Sequence, residues 1–91
     1  MSEEELDNWA VYLAELGGWR TYHTWSAMHS AKGFPDRWFA RGGRVIAAEL
    51  KREGKWPTAE QYDWLGELQL GGIEIYVWHP HDQDDMQAVL S

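Results

Sequence analysis

The order of elements predicts an α/β fold, a single small domain with a mixed central sheet flanked by helices. Three observations carry this. Apolar residues recur at helical spacing ahead of Gly17-Gly18 and again after Pro57, and two strand-like runs, Arg37 to Arg41 and Arg44 to Ala48, meet at Gly42-Gly43. Both faces of that hairpin are apolar, so helices are needed on two sides of the sheet.

Ser2 and Glu5 form a capping-box pattern ahead of an apolar stripe of Leu6, Trp9, Ala10, Leu13 and Leu16, which places a first helix up to about Leu16. Trp19 to Trp25 reads as a first strand, and residues 26–35 as a loop. Gly42-Gly43 is a two-residue turn of the primed type, which sets positions whose numbers sum to 85 opposite each other. One hairpin face then carries Trp38, Val45 and Ala47, and the other Phe39, Ile46, Ala48 and Leu50. Thr58 opens a second helix, with Tyr62, Trp64, Leu65, Leu68 and Leu70 apolar, and Gly71-Gly72 ends it. Ile73 to Trp78 is a strand expected to run parallel to the one before the helix, through a right-handed crossover. A short helix near Asp84 to Leu90 closes the pattern.

At 91 residues the chain, 1–91, is one domain that buries roughly 60% of its extended surface. A hydrophobic content of 44% with seven tryptophans suffices for a core, and the lack of cysteine excludes a disulfide framework or a thiolate zinc site. The acidic start, Ser2-Glu3-Glu4-Glu5, does not read as a signal sequence and no apolar run reaches membrane-spanning length, so a cytoplasmic protein is expected. Net charge is −7, which taken alone argues against a nucleic-acid partner. Its distribution argues otherwise: all eight Lys and Arg lie between positions 20 and 55, where only Asp36, Glu49 and Glu53 oppose them. The alternative is chance clustering on solvated strand faces.

The hairpin register brings chemistry together. Asp36 falls opposite Glu49, with Cβ atoms about 4.5 to 5.5 Å apart, and Lys51 projects from the same face. Like charges opposed across a sheet are destabilising unless something binds between them, and a hard divalent cation such as magnesium or manganese suits two carboxylates. The other reading makes Asp36 turn chemistry after Pro35, with Glu49 and Lys51 a solvated strand end.

Gly33-Phe34-Pro35-Asp36, then Glu49-Leu50-Lys51, then Thr58-Ala59-Glu60-Gln61 at the head of a helix, resembles the VRR-NUC branch of the PD-(D/E)xK nucleases. Gly18-Trp19, Tyr22-His23-Thr24, Gly71-Gly72 and Tyr76-Val77-Trp78 also look like its stand-alone phage and bacterial members. The resemblance implies a restriction-endonuclease-like αβββαβ core and magnesium-dependent endonuclease activity carried by Asp36, Glu49 and Lys51. It further implies homodimers acting on branched DNA such as Holliday junctions. Metal ligands would be Asp36, Glu49 and the Leu50 carbonyl, with Glu3 as a third carboxylate. Glu3 has a second reading, since glutamates in a first helical turn favour the helix dipole. Gln61, which the family places near the lysine, is equally the fourth residue of a capping box. Arg37 stands where relatives carry an apolar residue, adding a cation beside the site.

The DNA-contacting set would be His23, Lys32, Arg37, Arg41, Arg44, Arg52 and Lys55, with Trp25 and Trp56 available to stack on exposed bases. His29 is a further candidate beside Gly33. His79-Pro80-His81-Asp82 has the look of a metal cluster, yet no second pair completes tetrahedral zinc. Two other functions fit the same residues: a DNA-binding module with an inactive site, and an acidic DNA mimic, which the basic middle block speaks against.

Overall fold

The computed structural model of the protein describes residues 1–25 and 31–91. His29 and the first part of the expected 26–35 loop lie outside the described residues. The elements are α1 (Glu3–Leu16), β1 (Arg20–His23), β2 (Arg37–Arg41), β3 (Arg44–Leu50), α2 (Ala59–Leu70), β4 (Glu74–Trp78), a 3-10 turn (Pro80–Asp82) and α3 (Gln83–Leu90). One sheet holds the strands in the order β1-β2-β3-β4, antiparallel except for the parallel β3–β4 pair. This is the mixed α/β architecture expected of the chain.

Local chemistry sets the ends of these elements. Ser2 and Glu5 form a reciprocal capping box on α1, and Thr58 and Gln61 form another on α2. At the hairpin tip Gly42 and Gly43 have φ of 57° and 82°, the left-handed pair that a primed turn needs. Arg41 therefore sits opposite Arg44, and Arg37 opposite Ala48.

The main core lies between one sheet face and the pair α1 and α3. Leu6, Ala10, Leu13 and Ala14 of α1 and Met86 and Leu90 of α3 close on Phe39, Ile46, Ala48, Leu50 and Trp78. Each large apolar side chain buried here contributes roughly 1.5 to 3 kcal/mol. On the opposite face Ala47 is buried, α2 packs against β4 through Leu65, and Phe34 fits between the rings of Trp38 and Trp64.

Three sequence expectations shift. The first strand is shorter than Trp19 to Trp25, because the Trp19 indole turns into the core and donates to the Leu90 carbonyl at 2.9 Å. Leu16 and Leu70 are 70% and 86% exposed rather than core residues. Each is the last residue of its helix, where the apolar stripe has run past the sheet. Among the described residues no helix is long and apolar enough to cross a membrane.

Candidate active site

Pro35 delivers the chain to the start of β2, and Gly33 makes that delivery possible. Gly33 has φ of 85° and lies so close to the first turn of α2 that an added Cβ would sit 2.6 Å from the Glu60 carbonyl carbon. Beyond the last ladder pair, Arg37 with Ala48, the same register sets Asp36 against Glu49. The ends are tied there: the Thr24 amide donates to the Asp36 carbonyl at 2.8 Å, and the Leu50 amide to Asp36 Oδ2 at 3.3 Å.

Glu49 is the unusual residue. It lies near the end of β3, a strand flanked by β2 and β4, is paired with Val77 of β4, and is fully buried. Neither of its carboxylate oxygens has a hydrogen-bond donor among the described residues. A buried acceptor without a partner is costly, and a buried unpaired charge more so. The Asp36 carboxyl beside it can hydrogen-bond only while the two groups share a proton. Burial pushes the Glu49 carboxyl up to about 9; Asp36 adds to the rise, Lys51 opposes it and Glu3 adds a smaller push. Asp36, Glu49, Lys51 and Glu3 thus act on one spot.

That spot opens into a recess of about 250 Å³ lined by Glu3, Glu4, Asp7, His23, Asp36 and Leu50. Glu3, Leu50 and His23, three of the residues singled out in the sequence, line this recess with Asp36. Glu4 and Asp7 are additions that motif reading passed over. Their signal was the helical spacing, since Asp7 follows Glu3 by four residues and Glu4 by three, which stacks all three on one side of α1.

The basic residues do not gather into one patch. Arg37, expected as a free cation beside the site, is 8% exposed and forms a two-pronged pair with Asp7 at 2.9 and 2.7 Å, with a third bond to Thr21. It locks α1 to the sheet and supports the recess from behind. Arg41 and Arg44 flank the hairpin tip, five or more residues from the carboxylates, roughly 17 Å along the strand. Arg41 donates to the Gly17 and Ser91 carbonyls and lies over the Trp19 ring, while Arg44 is engaged by Glu74 at 2.7 Å. Lys32 pairs with Glu60 at 3.2 Å on the surface.

Arg52 and Lys55 remain near the site. With Lys51, Trp56 and Glu3 they border a second, wider groove of about 630 Å³, and Glu3 lines both the groove and the recess. Gln61 lines neither the groove nor the recess; its side-chain oxygen accepts from the Thr58 amide at 2.8 Å, so the cap uses its carbonyl.

The histidines hold this region from behind. His79 is buried, and its Nε2 lies 2.6 Å from the Lys55 carbonyl, which requires that nitrogen to carry the proton. His81 meets Glu53, with Nδ1 2.8 Å from Oε2 and the backbone amide 2.7 Å from Oε1. His79, His81 and Asp82 bring ligand atoms within 4.8 Å of one another. Three donors are fewer than the four of structural zinc, and two ring nitrogens are already bonded to protein oxygen. In comparison with known proteins, no family model, no curated protein and no solved structure matches this chain.

Proposed function

We propose that the protein is a magnesium-dependent endonuclease of the VRR-NUC type that hydrolyses DNA phosphodiester bonds. The observation that carries this is the Glu49 carboxyl, fully buried, without a donor, and set against Asp36. Nothing in packing favours two carboxyls at one point inside a sheet, whereas a divalent cation satisfies the oxygens that the protein leaves open. The donor set fits: Asp36 and Glu49 supply hard anionic oxygens, the Leu50 carbonyl lies at the same strand end, and Glu3 borders the recess. Magnesium, or manganese in its place, would supply the Lewis acidity that polarises a phosphate and lowers the pKa of a bound water.

The chain's own residues do the rest. Lys51 is close enough to act on the Glu49 charge, and from there its ammonium orients a water and offsets charge developing on the phosphate. The pair Arg37–Asp7 holds α1 so that Glu3 faces the recess. Lys51, Arg52 and Lys55 along the adjoining groove suit a phosphate backbone. A half-covered sheet face bearing Tyr22, Ala40 and Val45 suits a second copy of the chain, so that two sites cut paired strands of branched DNA such as a Holliday junction. Such work belongs in the cytoplasm of a bacterium or of a phage-infected host.

The test is cleavage of labelled four-way junction, flap, duplex and single strand with and without magnesium. Asp36→Ala, Glu49→Ala and Lys51→Ala should each abolish cutting while leaving DNA binding in place. Full activity in any one of them rejects this site. Binding with no cutting by the wild type under magnesium or manganese would instead mark a DNA-binding module with an inactive centre.

A further inference from the structure

We infer that Trp56 is a stacking platform for one unpaired base, so that the groove beside the carboxylates takes single-stranded nucleic acid rather than continuous duplex. The inference rests on the nuclease reading for the identity of the polymer, and adds which form of it the groove binds.

Trp56, on the segment between β3 and α2, is 63% exposed, whereas Trp19 and Trp78 are buried in the core. An exposed indole costs solvation free energy and contributes little to the core. It is nevertheless held in place: the buried His79 ring lies behind it, with centroids 4.6 Å apart. His79 also bonds the carbonyl of the preceding Lys55, and His81 grips Glu53 through side chain and amide. Both ends of the segment from Glu53 to Trp56 are thus fastened to the corner between β4 and α3. A ring supported on one side and open on the other loses little freedom when a planar ligand settles on it.

Its neighbours define that ligand. Lys51, Arg52 and Lys55 lie along the same groove, and Glu3 links the groove to the recess at Asp36. Cations spaced along a groove follow a phosphate chain, and an aromatic face among them accepts a base of any identity. In a duplex the base faces are already stacked on one another, so Trp56 reaches only an unpaired nucleotide, at an overhang, a flap or the open centre of a junction.

Binding in chelator, which prevents cleavage, tests this with three DNAs: a blunt duplex, the same duplex with a single-stranded overhang, and that overhang with its bases replaced by abasic sites. The wild type should prefer the normal overhang. Trp56→Ala should weaken overhang binding by about 5-fold to 100-fold, leave blunt and abasic binding unchanged, and Trp56→Phe should keep most of the affinity. The abasic DNA reads the same contact with no change in the protein. Equal affinity of the wild type for normal and abasic overhangs, or equal losses on all three DNAs in Trp56→Ala, would overturn the platform. If Trp56-dependent overhang binding is found but magnesium elicits no cleavage, the platform stands and the nuclease reading falls.

Discussion

Glu49 sits where a carboxylate is hardest to keep ionised, and the groups facing it, Asp36, Lys51 and Glu3, act in opposing senses. Its proton affinity is raised in the fold, from 4.5 to about 9, so between those values the folded state holds a proton that the unfolded state has released. Stability of the metal-free protein should therefore fall as pH rises across that window. Glu49→Gln keeps the shape and removes the titration, so its metal-free melting temperature should decline less with pH and exceed wild type most at pH 8 to 9. Magnesium, which competes with the proton, should stabilise wild type increasingly with pH and the variant little. Calorimetry of both proteins in chelator and in magnesium decides this, and parallel pH profiles would show that Glu49 is not the group in question. Gln61 is separable by a similar choice. Glu also closes a capping box, so Gln61→Glu should keep the stability that Gln61→Ala loses, about 0.5 to 2 kcal/mol. If Gln61→Glu also cuts DNA normally, the cap is the whole of its role.

Among the elements, α1 depends on one contact with high leverage. Arg37 is nearly buried and its guanidinium is shared between Asp7 and Thr21, so Arg37→Ala leaves Asp7 facing a partly dry pocket without its partner. A loss of about 1 to 3 kcal/mol in urea unfolding is expected, against a change within about 0.5 kcal/mol for Leu70→Lys at an exposed helix end. Near-neutral Arg37→Ala would mean that apolar packing alone seats α1. The segment between β3 and α2 has its own clasp. Glu53 holds its proton less tightly and His81 more tightly because the two are paired. The His81 contribution is present at pH below 6.5 and fades as pH rises through its raised value, and that of Glu53 is lost as pH falls below 4.5. In Glu53→Ala, which removes the acceptor, the His81 amide should exchange with deuterium faster, and unchanged exchange would show that the clasp does not restrain the segment.

For the whole molecule, sequence position and surface position of charge separate. The net +5 of residues 20–55 is contiguous along the chain, yet the hairpin carries Arg41 and Arg44 away from the carboxylates and into ion pairs or carbonyl contacts. Salt dependence of DNA binding should therefore weaken by about one unit of slope for each of Arg52→Ala and Lys55→Ala, and by less for Arg41→Ala or Arg44→Ala. A larger effect at the hairpin tip would move the DNA to that end of the sheet. The proposed dimer is checked by light scattering, where a monomer that still cuts junctions would remove the second copy from the account.

What the sequence determined is what short-range rules encode. A Gly-Gly turn admits one register, so the opposition of Asp36 and Glu49 and the division of hairpin faces follow from the order of residues alone. Capping boxes at Ser2–Glu5 and Thr58–Gln61 named the helix starts, because their partners lie three residues apart. Tertiary structure alone decided which groups meet across long separations: Arg37 with Asp7, Glu53 with His81, Trp56 against His79. It also decided that Glu49 is dry, since its burial in the packed chain is set by elements far from it in sequence. No local periodicity reports such burial, because whether a polar residue is solvated depends on what the rest of the chain places above it. The fold was legible because turn and helix chemistry is local, whereas the environment that makes Glu49 a candidate ligand arises only when distant elements pack.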